Sequence, residues 1–220
     1  LEERLSNEEF STVEKKLELF GSNFFRSFQT SFMPINEPNP NSSYILDSYD
    51  VLTIQLIGME EFIENFTIKG DGTINIPKVG KIVLAGQSLE KANDIIRQKV
   101  NNVFIGTDAF VSIDKLRDVS VLVAGNASKP GIYTLSGNSN MLHALNVAGG
   151  INKYGSYRDI KLIRNDEVIE NLDIYDLLID GNYSNDRKLR SGDVIFVEMR
   201  NSVVAIDGAV KRPAKYEIKK

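Results

Sequence analysis

Two stretches of the chain spell the same local design 83 residues apart, from Gly125 to Gly208, Pro130 to Pro213 and Tyr133 to Tyr216. Val123-Ala124-Gly125, followed by Lys129-Pro130-Gly131-Ile132-Tyr133-Thr134-Leu135, returns as Ile206-Asp207-Gly208, followed by Arg212-Pro213-Ala214-Lys215-Tyr216-Glu217-Ile218. A glycine, a basic residue, a proline, a tyrosine and an aliphatic residue at one register mark a repeated supersecondary unit. The fold must therefore consist of small domains in series, and the last 20 residues are expected to open a second copy of a domain that starts near residue 119. On this reading the chain ends inside a repeat array whose parent has at least three domains.

A second echo joins Leu46-Asp47-Ser48-Tyr49-Asp50-Val51-Leu52 to Leu189-Arg190-Ser191-Gly192-Asp193-Val194-Ile195. In each, an aspartate in a turn leads directly into a strand, where its carboxylate can accept N–H groups of its own turn and fix the start of the strand.

Between these markers the chain reads as short elements. Phe10, Val13, Leu17, Phe20 and Phe24 recur at spacings of three and four, with Ser6 and Glu9 as a capping box, which predicts an amphipathic helix over 7–28 docked on a partner surface. Residues 31–43, rich in Pro, Asn and Ser, read as a linker. Leu52, Ile54 and Leu56 alternate with polar residues as in a half-buried strand, and Phe66–Lys69 and Thr73–Ile76 are expected to form a hairpin across Gly70-Asp71-Gly72. Ser88 caps an expected helix carrying Leu89, Ala92, Ile95, Ile96 and Val100, and a strand follows at Ala109–Ile113.

The next unit reads as a strand at Val119–Ala124, a type II turn at Lys129-Pro130-Gly131 with positive φ at the glycine, and a strand at Ile132–Leu135. A helix opened by Ser139 and stopped by Gly149-Gly150 comes next. Then follow a hairpin turning on Asn165-Asp166, a short helix capped by Asp173, and a closing strand at Asp193–Val197. Strands wrapped around short helices indicate an α+β class with a β-grasp-like second domain.

Composition removes several function classes. With 26 Lys and Arg against 30 Asp and Glu, the net charge of -4 offers no broad cationic face for nucleic acid or an anionic membrane. There is no cysteine, so disulfides and thiolate metal sites are absent. No apolar run approaches the roughly 20 residues of a membrane-spanning helix. The first residue is Leu1 and no signal peptide is visible, so the chain is expected to be an excised piece whose export signal or anchor lies elsewhere.

Residues with chemical potential do not form a reactive set. His143 is the sole histidine and is expected on a helix surface, so a zinc site would need carboxylates alone beside it. Asp108 with Asp114, and Asp166 with Glu167, supply carboxylates without a nucleophile and base in triad order. Gly70-Asp71-Gly72 and Gly149-Gly150 lack the Gly-Lys-Ser/Thr ending of a phosphate loop and read as turn and helix stop. No catalytic, metal or cofactor residue is expected. Arg158, Lys161 and Arg164, nearly alternate on a strand, are candidates for contact with an anionic polysaccharide, against the plainer reading of a solvated face. Tyr154 and Tyr157, with Tyr44, Tyr49 and Tyr183, offer rings on which sugars stack, against turn packing.

The ordered motifs resemble those of bacterial outer-membrane polysaccharide export proteins, in which an export domain precedes SLBB (soluble-ligand-binding β-grasp) domains. Tyr44-x-Leu46, Asp50-Val51-Leu52, Lys69-Gly70-Asp71-Gly72-Thr73-Ile74, Ile76-Pro77, Val79-Gly80 and Val83-x-Ala85-Gly86-x-Ser88-Leu89 carry the export-domain likeness. Val123-x-Gly125, Lys129-Pro130-Gly131-x-Tyr133, Leu142-His143-Ala144-Leu145, Ala148-Gly149-Gly150 and Gly192-Asp193-Val194-Ile195 carry the SLBB likeness. Two departures are Ser48-Tyr49, where the family has Pro-Gly before the aspartate, and Ala127-Ser128-Lys129-Pro130-Gly131 in place of Val-x-x-Pro-Gly.

The resemblance covers about 40–220 and implies an export domain over 44–117, an SLBB domain over 118–199 and the start of a second over 200–220, with the expected helix and linker of 1–43 lying outside it. It further implies a periplasmic, outer-membrane-associated homo-oligomer that passes a capsular or exopolysaccharide chain, working with an inner-membrane polymerisation and chain-length partner. Two rivals are an SLBB module that binds a soluble ligand or carbohydrate without forming a channel, and a carbohydrate-active enzyme, which would need an acid–base pair.

Overall fold

The computed structural model describes residues 17–25, 41–182 and 187–219. Its first core is organised by β1 (Val51–Gly58), the centre of a three-stranded antiparallel sheet flanked by β2 (Phe62–Thr67) and β5 (Thr107–Lys115). The strand alternation does what the sequence requires, since Leu52, Ile54 and Leu56 are buried while Thr53 and Gln55 face the other side. Helix α1 (Leu89–Val103) packs Ala92, Ile96 and Val100 into that core. Its cap is Ser88, whose hydroxyl accepts the Lys91 N–H at 3.1 Å. The hairpin of β3 (Thr73–Ile76) and β4 (Gly80–Val83) contributes Ile74, Ile76 and Ile82.

The turn at Gly70-Asp71-Gly72 forms, with Gly72 at φ +76° and the Lys69 N–H donating to the Thr73 carbonyl at 2.8 Å. The strands that it joins do not pair with one another. β2 is taken by β1 and β3 by β4, because a continuous β1 ladder and the short turn after Ile76 satisfy both backbones first.

The second core is a mixed five-stranded sheet in the order β7-β6-β10-β8-β9. It comprises β6 (Asp118–Gly125), β7 (Gly131–Ser136), β8 (Gly155–Arg164), β9 (Glu167–Leu172) and β10 (Val194–Met199). The last strand enters between the two hairpins, parallel to β6 and antiparallel to β8, so the sheet grasps α2 (Met141–Val147). Met141, Leu142, Ala144 and Leu145 of α2 are buried, each large side chain contributing about 1.5–3 kcal/mol of burial. The cap of α2 is Asn140, one residue after the serine read from sequence, and its side chain accepts the His143 N–H at 2.9 Å. Asn165 and Asp166 both adopt positive φ in the β8–β9 turn. Helix α3 (Ile174–Asp180) begins at Asp173 and ends at Gly181 with φ +68°. The α+β class is as expected.

Positive φ falls at Gly125 (+73°), whereas Gly131 is already a ladder residue opposite Val123. The bend is closed instead by the Tyr133 hydroxyl donating to the Lys129 carbonyl. A side chain at Gly125 would sit 2.3 Å from the Val197 carbonyl oxygen, so the close passage of β10 fixes that glycine.

Strands β11 (Val203–Ile206) and β12 (Ala214–Glu217) pair in the register of β6 and β7 displaced by 83 residues: Val121 with Tyr133 becomes Val204 with Tyr216, and Leu122 with Ile132 becomes Ala205 with Lys215. The Tyr216 hydroxyl donates to the Arg212 carbonyl as Tyr133 does to Lys129.

Most of the helix predicted over 7–28 lies outside the described residues. Within them, 17–23 is not helical: Leu19 bridges to Lys215, 20–23 turn around Gly21 at φ +83°, and helical backbone appears only at Phe24 and Phe25. The apolar residues that set the periodicity are used for docking. Phe20 stacks on Tyr216 with centroids 5.1 Å apart, and Phe24 packs against the second core beside the buried Phe25.

Candidate functional site: a basic cleft between the two domains

Only Leu116 and Arg117 separate β5 from β6, and Arg117 is held from both sides. Its N–H donates to Asp50 Oδ1 at 2.8 Å and its guanidinium to Asp50 Oδ2 at 3.0 Å, while its carbonyl accepts the Gly137 N–H of the second domain at 2.8 Å. Asp50 is fully buried and also accepts the Asp47 N–H at 2.9 Å and the Tyr44 hydroxyl at 3.1 Å. Burial, then the Asp50 charge, pushes the Tyr44 phenol well above its ordinary pKa, so it stays a neutral donor.

The second aspartate turn repeats this device. Asp193, 1% exposed, accepts the Arg190 N–H at 2.8 Å, three residues back as in the first turn, and takes both nitrogens of Arg164 at 2.7 Å. That bidentate hydrogen bonding raises the Arg164 pKa further. Tyr49 occupies the left-handed position (φ +75°) that Gly192 holds in the other turn (φ +89°), so the departure from Pro-Gly changes the side chain and keeps the backbone.

The two turns wall one cleft of about 600 Å³. Arg117, Arg164, Arg187, Lys188 and Arg190 line it, with Asp47 as the only lining carboxylate among the described residues, a local sign opposite to the net charge of the chain. Arg164 is neutralised by Asp193, and Arg187 lies 3.4 Å from Glu170. Lys188 bonds the Asn138 carbonyl at 3.0 Å. Among the described residues neither Lys188 nor the exposed Arg190 meets a carboxylate.

The five residues proposed from sequence are not gathered into one site. Arg164 alone lines the cleft. Lys161 bonds Glu198 at 2.6 Å, which raises its pKa. Arg158 bonds Asp173 at 3.1 Å and the Glu217 carbonyl at 3.3 Å, with its guanidinium 4.7 Å from the Tyr175 ring. Tyr157 is buried, and its N–H donates to Glu217. Tyr154 is exposed, with the Lys153 ammonium 4.8 Å from its ring centre, and lies away from the cleft lining. Tyr183 is outside the described residues. The signal for the cleft was the run Arg187-Lys188-Leu189-Arg190 just before an aspartate turn, together with Arg117 at the junction. His143 is exposed on α2, and among the described residues no cluster of His, Cys, Asp or Glu could hold a metal ion.

A second seam joins the five-stranded sheet to the β11–β12 hairpin. Glu217, 1% exposed, accepts the Ser156 hydroxyl at 2.6 Å and the N–H groups of Tyr157 and Asn201 at 2.9 and 3.1 Å, while the Tyr175 hydroxyl accepts the Glu217 N–H.

Residues 38–114 match the polysaccharide biosynthesis/export protein family and residues 119–197 the SLBB domain, one on each core. The chain therefore carries a polysaccharide export domain followed by an SLBB domain. It is similar to two sequences of the polysialic acid transport protein KpsD of Escherichia coli, each 29% identical over 181 residues, covering 81% of this chain. Those alignments take in 32% of each relative, so the chain spans about a third of the length of the curated relatives it matches.

Proposed function

We propose that this chain is the periplasmic part of an outer-membrane polysaccharide export protein that assembles with copies of itself into a conduit for capsular or exopolysaccharide. The observation that carries the reading is the pair of family matches in export-then-SLBB order, each on its own folded core. The KpsD relatives are named for transport of polysialic acid, which supports a polysaccharide as cargo; an inner-membrane polymerisation and chain-length partner is the proposed source of that polymer. Stacking rigid modules through seams such as that at Glu217 suits a transport scaffold rather than an enzyme, and no acid–base pair is invoked. The domains follow the division at 43/44, 117/118 and 199/200, with the final hairpin as the start of a second SLBB copy.

The alternative is an SLBB module that binds a soluble ligand or carbohydrate without forming a channel, and the basic cleft is the observation that favours it. The molar mass of the full-length protein in mild detergent, measured by light scattering, separates the two. A closed high-order oligomer is expected for the conduit. A monomer that binds ligand saturably would overturn it.

A further inference from the structure

The cleft between the domains has a chemistry that the export reading leaves unused. Its volume of about 600 Å³ is in the range of small-ligand sites. Its walls offer guanidinium, ammonium, amide and hydroxyl groups, and the one exposed large aliphatic residue is Ile45. A peptide docking here by strand addition would need a free strand edge, and one docking as an amphipathic helix would need an apolar groove. No lining residue belongs to an edge strand: Arg164 lies on β8, paired on both sides by β10 and β9, and the other cations lie on connecting segments. Buried Asp50 and Asp193 hold Arg117 and Arg164 in place as a fixed floor. Lys188 and Arg190 stand at the rim without a carboxylate among the described residues.

We propose that this cleft binds a carboxylated saccharide, with Lys188 and Arg190 meeting the sugar carboxylates and the Asn41, Ser43 and Asn138 side chains facing the hydroxyls. The proposal rests on the export reading and deepens it by naming this cleft as a point where an acidic polymer touches the wall. Charge-assisted contacts at an exposed rim are individually modest and screened by salt, which suits a polymer that must move on.

The test is an amide-resolved NMR titration of this chain with tetragalacturonate, with maltotetraose as the neutral control and a tetraglutamate peptide as the peptide control. The proposal expects saturable shifts at 137–138 and 188–190 with tetragalacturonate only. Binding should weaken at least tenfold in the K188A/R190A double variant and by less than twofold in K91A, an exposed lysine on α1. Both rim side chains are exposed, so an unchanged spectrum elsewhere verifies the fold. Absence of shifts, shifts located elsewhere, equal binding of tetraglutamate, or equal weakening by K91A would each overturn the proposal. Export itself is tested separately by the fate of the polymer in a deletion strain, so failure here leaves that reading standing.

Discussion

Replacing Asp50 by alanine removes one buried carboxylate on which four donors converge, from Tyr44, Asp47 and both the backbone and guanidinium of Arg117. Taking one member from a buried ion pair costs about 3–5 kcal/mol, because the charge left behind has lost both water and partner. The Arg117 side chain is 13% exposed and keeps Asp47 Oδ2 at 3.6 Å, which puts the expected loss near the lower end, about 3 kcal/mol. Arg117→Met retains the backbone N–H to Asp50 and should cost about 2 kcal/mol. Since each single change breaks the same pair, the double variant should lose at least about 1 kcal/mol less than the sum. Urea denaturation followed by circular dichroism gives the totals. Amide exchange shows whether the domain junction opens first, with Gly137 as the reporter because its N–H is held by Arg117. A loss below about 1 kcal/mol for Asp50→Ala, or strict additivity, would refute the reasoning.

Three further outcomes follow from the same geometry. Gly125→Ala should destabilise more than Gly208→Ala by at least about 1 kcal/mol, although both glycines have positive φ at one repeat position, since an added methyl meets the Val197 carbonyl in the first case and open space in the second; equal melting temperatures would contradict this. Glu217→Ala should loosen the final hairpin, with faster amide exchange at Tyr157 and Asn201 and a loss of about 2–4 kcal/mol from its docking, and unchanged protection at both amides would count against the seam. The Asp71 carboxyl is held at about 2, below the model-compound value of 3.8, by hydrogen bonds first from Lys81 and then from Thr73. Its stabilisation of the turn should therefore be fully present above pH 3.8 and disappear as the pH falls through about 2. Carboxyl NMR should show the Asp71 titration moving up in Lys81→Ala, and an unmoved midpoint would remove Lys81 as the cause.

Much of the fold was legible because it rests on local chemistry. The 2-residue alternation in β1, Ser88 ahead of α1, Asn165-Asp166 between β8 and β9, and the 83-residue repeat each specify backbone geometry within a few residues of themselves. The errors arose where distant partners decide. Gly70-Asp71-Gly72 does make its turn, but β1 claims β2 across it. Positive φ moved from Gly131 to Gly125 because β10, some 70 residues on, passes against it. Phe20 and Phe24 carry a helical spacing yet serve as docking residues on the second core. The cleft was the least legible feature, since Arg117, Arg164 and the 187–190 run come together only once two domains close on a two-residue junction. Arg158 and Lys161 looked like a binding stripe, yet their partners Asp173 and Glu198 are 15 and 37 residues away.

The most direct test of the central claim is the location of the polymer in the bacterium that carries this protein once its gene is deleted, measured as the polysaccharide on the cell surface against that retained inside. Polysaccharide export predicts loss of surface polymer with retention inside the cell, restored by the full-length gene. Surface polymer at the unaltered level in the deletion strain would contradict the account.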